Sequence, residues 1–280
     1  MFTMQILKLL LDIFMKEIRL AKKIVFTLIK DRLHYNGRLI ADFLSIFSRC
    51  GILLVLYWYV FKLNNGVVNG VTYITVAWSM FFYFAFSVLN LRGISREIMK
   101  DVTSGNVEIL FSKPISYFFY KIWWQIGSGL YPFIMLSILG GIILFLLIGA
   151  PETMSLSIFL PTFILIFISA TILTLILYSL VGFLAFWIED ANPVFWMIDK
   201  MVMILGGSYL PIGLFPSFMY KIALYSPFGA SQFITHTVYE SWKINWLMLF
   251  SIQIFWIIIL GILAYIIFLR ARKKISVNGG

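Results

Sequence analysis

Cysteine is almost missing from this chain, with Cys50 the single one in 280 residues. That excludes an intramolecular disulfide and a cysteine-based metal cluster, and leaves Cys50 to be read as a small buried residue. Charge is scarce as well: Asp, Glu, Lys and Arg make up 12% of the residues, roughly half the share in a soluble domain. The glycine-rich phosphate loop followed by Lys and Ser or Thr is absent, as are HExxH and the GxSxG nucleophile turn. The chain therefore cannot hydrolyse ATP through a Walker-type site, and offers no zinc-protease or serine-hydrolase set. What remains is apolar: 61% of residues are hydrophobic and the mean hydropathy is +0.96. That composition places the chain in lipid.

Six stretches are apolar enough to span a bilayer: Leu39 to Phe61, Thr72 to Leu91, Ile122 to Ile148, Ile158 to Trp187, Val194 to Leu210 and Ile244 to Leu269. All but the fifth reach the roughly 20 residues needed to cross about 30 Å of hydrocarbon. The expected fold class is all-α, a polytopic membrane protein of six transmembrane helices forming one domain over residues 1–280. Six crossings put both termini on one side, together with the N-terminal lysines and arginines, Arg92, Arg96, Lys100, Lys113, Lys121 and the basic cluster Arg270 to Lys274. The opposite side keeps Lys62, Lys221 and Lys243. By the positive-inside rule both ends are cytoplasmic, so the net charge of +10 reads as membrane orientation rather than nucleic-acid binding.

Apolar residues recur at helical spacing from Ile6 to Leu33, with basic residues between them, which predicts an amphipathic helix within residues 1–38 lying in the headgroup plane. Asp12 and Lys16 interrupt the N-terminal apolar run and no small-residue cleavage site follows, so the first span is expected to act as its own targeting signal. Between spans two and three, residues 92–121 form a long polar interruption. Ile94, Ile98 and Val102 share one helical stripe there, flanked by Glu97 and Asp101 on one side and Arg96 and Lys100 on the other. A short helix is predicted, stopped at Ser104-Gly105-Asn106. The aromatic belt from Tyr117 to Trp124 then marks the membrane interface. After the fifth span, residues 211–229 carry Pro211, Pro216 and Pro227 with several glycines. Broken apolar chain at membrane depth must be buried in protein or line a cavity, which predicts a re-entrant pair of half-helices on the outer side.

Three charges fall inside apolar stretches. Arg49 lies seven residues after Asp42, so it is a partner of Asp42, a snorkelling arginine or a substrate contact. Asp199 and Lys200 are adjacent and point about 100° apart on a helix, so they do not pair simply with each other. Neutralisation by a neighbouring subunit or an aqueous cavity is one reading, and a role in the translocation pathway is the other. His34 and His236 fall at opposite membrane faces, and no set of metal ligands is apparent.

The run ISREIMKDVTSGNVEILFSKPIS resembles the hydrophobic-x-x-acidic, glycine, hydrophobic-Glu, Leu-x-x-Pro pattern in permease subunits of type-2 ATP-binding-cassette exporters, in particular their daunorubicin-like and uncharacterised bacterial branch. The order of elements along the whole chain is similar too. The resemblance implies that Ile94 to Pro114 contains a coupling helix that docks on the ATPase through Glu97, Ile98, Asp101, Val102, Gly105, Glu108, Lys113 and Pro114, with the N-terminal helix beside it. It implies that spans two and five of two protomers face each other around the pathway, in a bacterial plasma membrane. The partners implied are two copies of a cytoplasmic ATPase subunit, which holds ATP and Mg, and a second permease protomer, identical or related. No cofactor is implied for this chain itself. The competing reading is an ion-coupled carrier or a channel that works without an ATPase. Such carriers show internal repeats with paired broken helices, whereas a single break is evident here.

Overall fold

The computed structural model describes the backbone of residues 2–34, 36–111, 116–151 and 156–278, with side chains described from Glu17 onward apart from a few positions near the breaks and beyond Lys274. Within those residues the fold is nearly all-α. The helices are α1 (Phe2–His34), α2 (Asn36–Leu63), α3 (Tyr73–Val88), α4 (Gly93–Thr103), α5 (Asn106–Phe111) and α6 (Tyr117–Ile148). They continue as α7 (Leu156–Phe183), α8 (Asn192–Leu205), α9 (Ser217–Tyr225), α10 (Pro227–Ala230) and α11 (Trp242–Asn278). Between α2 and α3, strands β1 (Val67–Val68) and β2 (Val71–Thr72) pair antiparallel, Val67 opposite Thr72. Asn69 and Gly70 turn this hairpin with φ of 51° and 75°, the left-handed pair that a two-residue loop requires.

Five segments are long and apolar enough to cross a membrane: Phe43–Leu63, Tyr73–Thr103, Tyr117–Ile148, Ile158–Phe186 and Trp242–Lys274. The fifth expected span, Val194 to Leu210, differs. Its helix α8 has 14 residues, about 21 Å at 1.5 Å per residue. It ends where Gly206 takes the cap and Gly207 turns with φ of 86°, and Pro211 follows four residues later. The segment expected as two half-helices is a series of shorter pieces: a 3-10 turn at Ile212–Leu214, then α9 and α10. Each proline sits where it starts one of them. Pro211 and Pro216 precede the first residue of the turn and of α9, and Pro227 is the first residue of α10, where a missing N–H costs nothing.

The spans containing α3 and α7 form the interior, with 61% and 56% of an apolar 18-residue stretch of each buried, against 11% for those of α2 and α11 and 17% for that of α6. The outer helices expose rows of isoleucine and leucine, as expected where the solvent is lipid. Polar side chains cross-link the interior. Ser169 on α7 donates to Gln253 on α11, whose amide donates in turn to the Ala230 carbonyl at 2.8 Å. Ser79 on α3 donates to the Thr235 carbonyl at 3.0 Å, and the Trp242 indole to Thr162 at 3.0 Å. Helix α1 covers the expected N-terminal segment, with Ala21 and Leu28 buried. It lies against α6, where Val25 and Leu28 close on Gly127.

Candidate functional site

The polar interruption after α3 begins with a tight turn. Asn90 has φ of 51°, and its carbonyl accepts from Gly93 N–H and from the Gln125 amide of α6, both at 2.7 Å. The turn launches α4 and aims Arg92 back toward α8. The Arg92 guanidinium donates to both carboxylate oxygens of Asp199, at 3.1 and 3.2 Å. The Tyr178 hydroxyl of α7 donates to the same carboxylate at 2.9 Å. Asp199 is 2% exposed while the Arg92 side chain is 45% exposed. This pair borders a cavity of about 90 Å³ that is also lined by Arg49, Tyr83, Ser208 and Gln232. An ionised carboxylate away from water demands such partners. Asp199 is thus neutralised from within the chain, by a residue that sequence reading assigned only to membrane orientation.

A second group, again a cation and a tyrosine around a buried aspartate but with Glu97 added, stands at the other end of α4. Lys121 Nζ lies 2.6 Å from Asp101 and 3.6 Å from Glu97, and the Tyr117 hydroxyl donates to Asp101 at 2.8 Å. Here both main partners are enclosed, with side-chain exposures of 7% for Lys121 and 10% for Asp101. Along its length α4 is held on three sides. The Asp101 group ties it to α6. Ile94 and Ile98 are fully buried, and Gly182 of α7, lacking a Cβ, admits Ser95 and Ile98 at close range. Toward α8, the Arg96 guanidinium lies over the rings of Phe195 and Trp196, 4.5 and 5.2 Å from their centroids, a cation–π contact.

Of the predicted docking residues, Ile98 and Asp101 therefore point inward, Val102 is half-buried against the core, and Glu97 is shared with Lys121. The outward part is the α4–α5 corner: Thr103, Ser104, Gly105, Asn106, Glu108 and Ile109 are exposed. Gly105 makes the corner with φ of 73°, a conformation in which a Cβ is strained whatever the space. Lys113 and Pro114 lie outside the described residues. Lys200 is exposed, with Nζ 3.8 Å from the Met203 sulfur and 5.7 Å from the Trp196 ring centroid. Arg49 has no hydrogen bond or ion pair among the described residues, and the side chain of Asp42, the partner in one of its three readings, is not among them.

The residues that sequence reading missed are Arg92, Lys121, Tyr117 and Tyr178. Tyr178 carried a signal, being the one tyrosine in the aliphatic run of α7. Lys121, one turn after Tyr117, faces the same way. The buried His236, in the 3-10 turn Phe233–Val238, is a different case: burial pushes its imidazole down to about 3, so it stays neutral at physiological pH. No group of residues fit to hold a metal ion occurs among the described residues. No family model matches the chain, and no curated protein matches it.

Proposed function

We propose that the chain is the transmembrane subunit of an ATP-driven exporter of the type-2 ATP-binding-cassette class, supplying half of a pathway that a second permease protomer completes. In this reading a separate cytoplasmic ATPase, in two copies, binds ATP and Mg and docks on the α4–α5 corner. The observation that carries the reading is the fixation of α4. A push on the corner moves a helix tied to α6, α7 and α8 at once, so partner motion reaches the bilayer without being lost in a loose loop. The exposed face of α8, with Met197, Met201 and Ile204 at helical spacing, is available to the second protomer. The crossing that α8 is too short to make alone is completed by residues 206–229, which returns the chain to the outer side before α11. Both termini are then cytoplasmic, in a bacterial plasma membrane.

Two measurements test this. In a Cys50→Ser background, a cysteine at Val67 should react with a membrane-impermeant thiol reagent in intact cells and one at Ser104 should not; reversed labelling removes the cytoplasmic docking corner. Gly105→Val should leave the chain inserted while transport and permease-stimulated ATP hydrolysis fall about tenfold, or roughly 1.4 kcal/mol of coupling. The Asp199–Arg92 pair, whose carboxylate is buried, favours one competitor, an ion-coupled carrier, because titratable groups at membrane depth serve such proteins as relays. Purified chain in liposomes without an ATPase separates the two: gradient-driven cargo movement would establish the carrier and end the exporter reading.

A further inference from the structure

Arg49 is the one residue of the intramembrane cavity whose charge is unanswered among the described residues. It sits six residues into the apolar segment Phe43–Leu63, about 9 Å along the helix from its start. A guanidinium at that depth is costly unless an anion or water reaches it. Its cavity also holds the Arg92–Asp199 pair, whose charges cancel, so the net charge presented there is that of Arg49. Ser208 and Gln232 add hydrogen-bonding groups to the same wall.

Directly beside it lies a crevice of opposite character. About 260 Å³ in volume, it runs between α2, α3 and α6 and is lined by Phe47, Leu54, Val55, Trp58, Leu144 and Leu147, among others. Ile46 and Phe84 form walls of both spaces. Cys50 and Gly51, the small residues of its α2 wall, leave that side of the crevice open. One cationic polar cavity and one apolar crevice thus share a boundary within the membrane, and α2, the helix between them and the lipid, is among the least buried spans.

We propose that these two spaces together bind an anionic amphiphile, with its phosphate or carboxylate head on Arg49 and one alkyl chain in the crevice. The head gains a charge-assisted hydrogen bond at low dielectric, and the chain keeps its apolar surroundings. As a statement about cargo this rests on the exporter reading, whereas occupancy of the site is measured without any ATPase.

The test uses the purified full chain in phosphatidylcholine nanodiscs with a diazirine-bearing dodecyl phosphate, cross-links being mapped by mass spectrometry. Labelling should concentrate between Phe47 and Trp58 on α2 and between Ile143 and Ile148 on α6. Arg49→Gln should lower its yield about tenfold and Arg49→Lys less than about threefold. Lys62→Gln, at the far end of the same helix, should leave it unchanged. Gly51→Phe, at a position where a Cβ meets nothing within 4 Å, should fill the crevice and abolish the label there. A dodecyl trimethylammonium probe should give no such pattern, and inorganic phosphate should not compete. Competition by phosphatidic acid would mark a bilayer lipid as the occupant, and its failure a free amphiphile; either supports the proposal. Equal labelling by the cationic probe, or a yield unchanged in both Arg49→Gln and Gly51→Phe, would overturn it. So would disulfide cross-linking of two chains through Val55→Cys in the Cys50→Ser background, since the crevice would then be covered by a second copy. Binding that passes these tests while ATPase-coupled transport is absent would reject the exporter reading and leave the site standing.

Discussion

The two ends of α4 carry the same chemical trio in two different settings. At one end a lysine and a tyrosine hold Asp101, and at the other an arginine and a tyrosine hold Asp199. The first group is enclosed, with the cation itself buried. The second buries only the acid and leaves the arginine nearly half exposed beside a cavity. Burial of both charges makes a fixed joint, because neither can leave without stranding the other. Burial of one makes a joint that opens when solvent or a ligand takes the exposed partner.

The sharpest way to break this comparison is to remove one charged partner from each group. Lys121→Met strands Asp101 and should cost about 3–5 kcal/mol, read as a large fall in the thermal midpoint of the purified protein. Adding Asp101→Leu should recover most of that loss, since an enclosed pair is replaceable by apolar groups of similar volume. Asp199→Asn should cost less, about 1 kcal/mol, because solvent takes over the charge of the part-exposed Arg92. Its effect should fall on function instead: transport driven by the ATPase should drop about tenfold, and the companion change Arg92→Gln should not restore it. Restored transport in that double variant would make the two joints equivalent. The smallest expected effect comes from the tyrosines. Tyr117→Phe and Tyr178→Phe each remove one donor to a buried carboxylate, worth about 1 kcal/mol, and thermal stability should fall by a similar amount in both.

The long apolar helices were legible in the sequence because each is a continuous run with turn-forming residues at its ends, and α4 with its glycine stop was legible from the Ile94–Ile98–Val102 stripe. The direction of that stripe was not. Sequence spacing says which residues share a face, but whether Ile98 meets a partner protein or its own chain depends on the small residue opposite, Gly182, which lies more than eighty positions away. The ion pairs were not legible for a related reason. Arg92 and Lys121 fit the orientation rule so well that nothing local distinguished them from the other basic residues of the same loop. Their partners become apparent only when α6 and α8 are brought beside α4. The helix expected over residues 194–210 stops short at its glycines, since hydropathy continues through Gly206 and Gly207 while the regular helix does not.

The brevity of α8 has a consequence for the surrounding lipid. Under the six-crossing reading, a regular helix of about 21 Å stands where neighbouring spans cover about 30 Å. The remainder is made up by irregular chain around Pro211, so this flank presents a shorter hydrophobic wall than the rest of the perimeter. Lipids beside it must thin or tilt, at a fraction of a kcal/mol for each ångström of mismatch. The deformation is one-sided, which under that reading gives the chain a preferred membrane thickness.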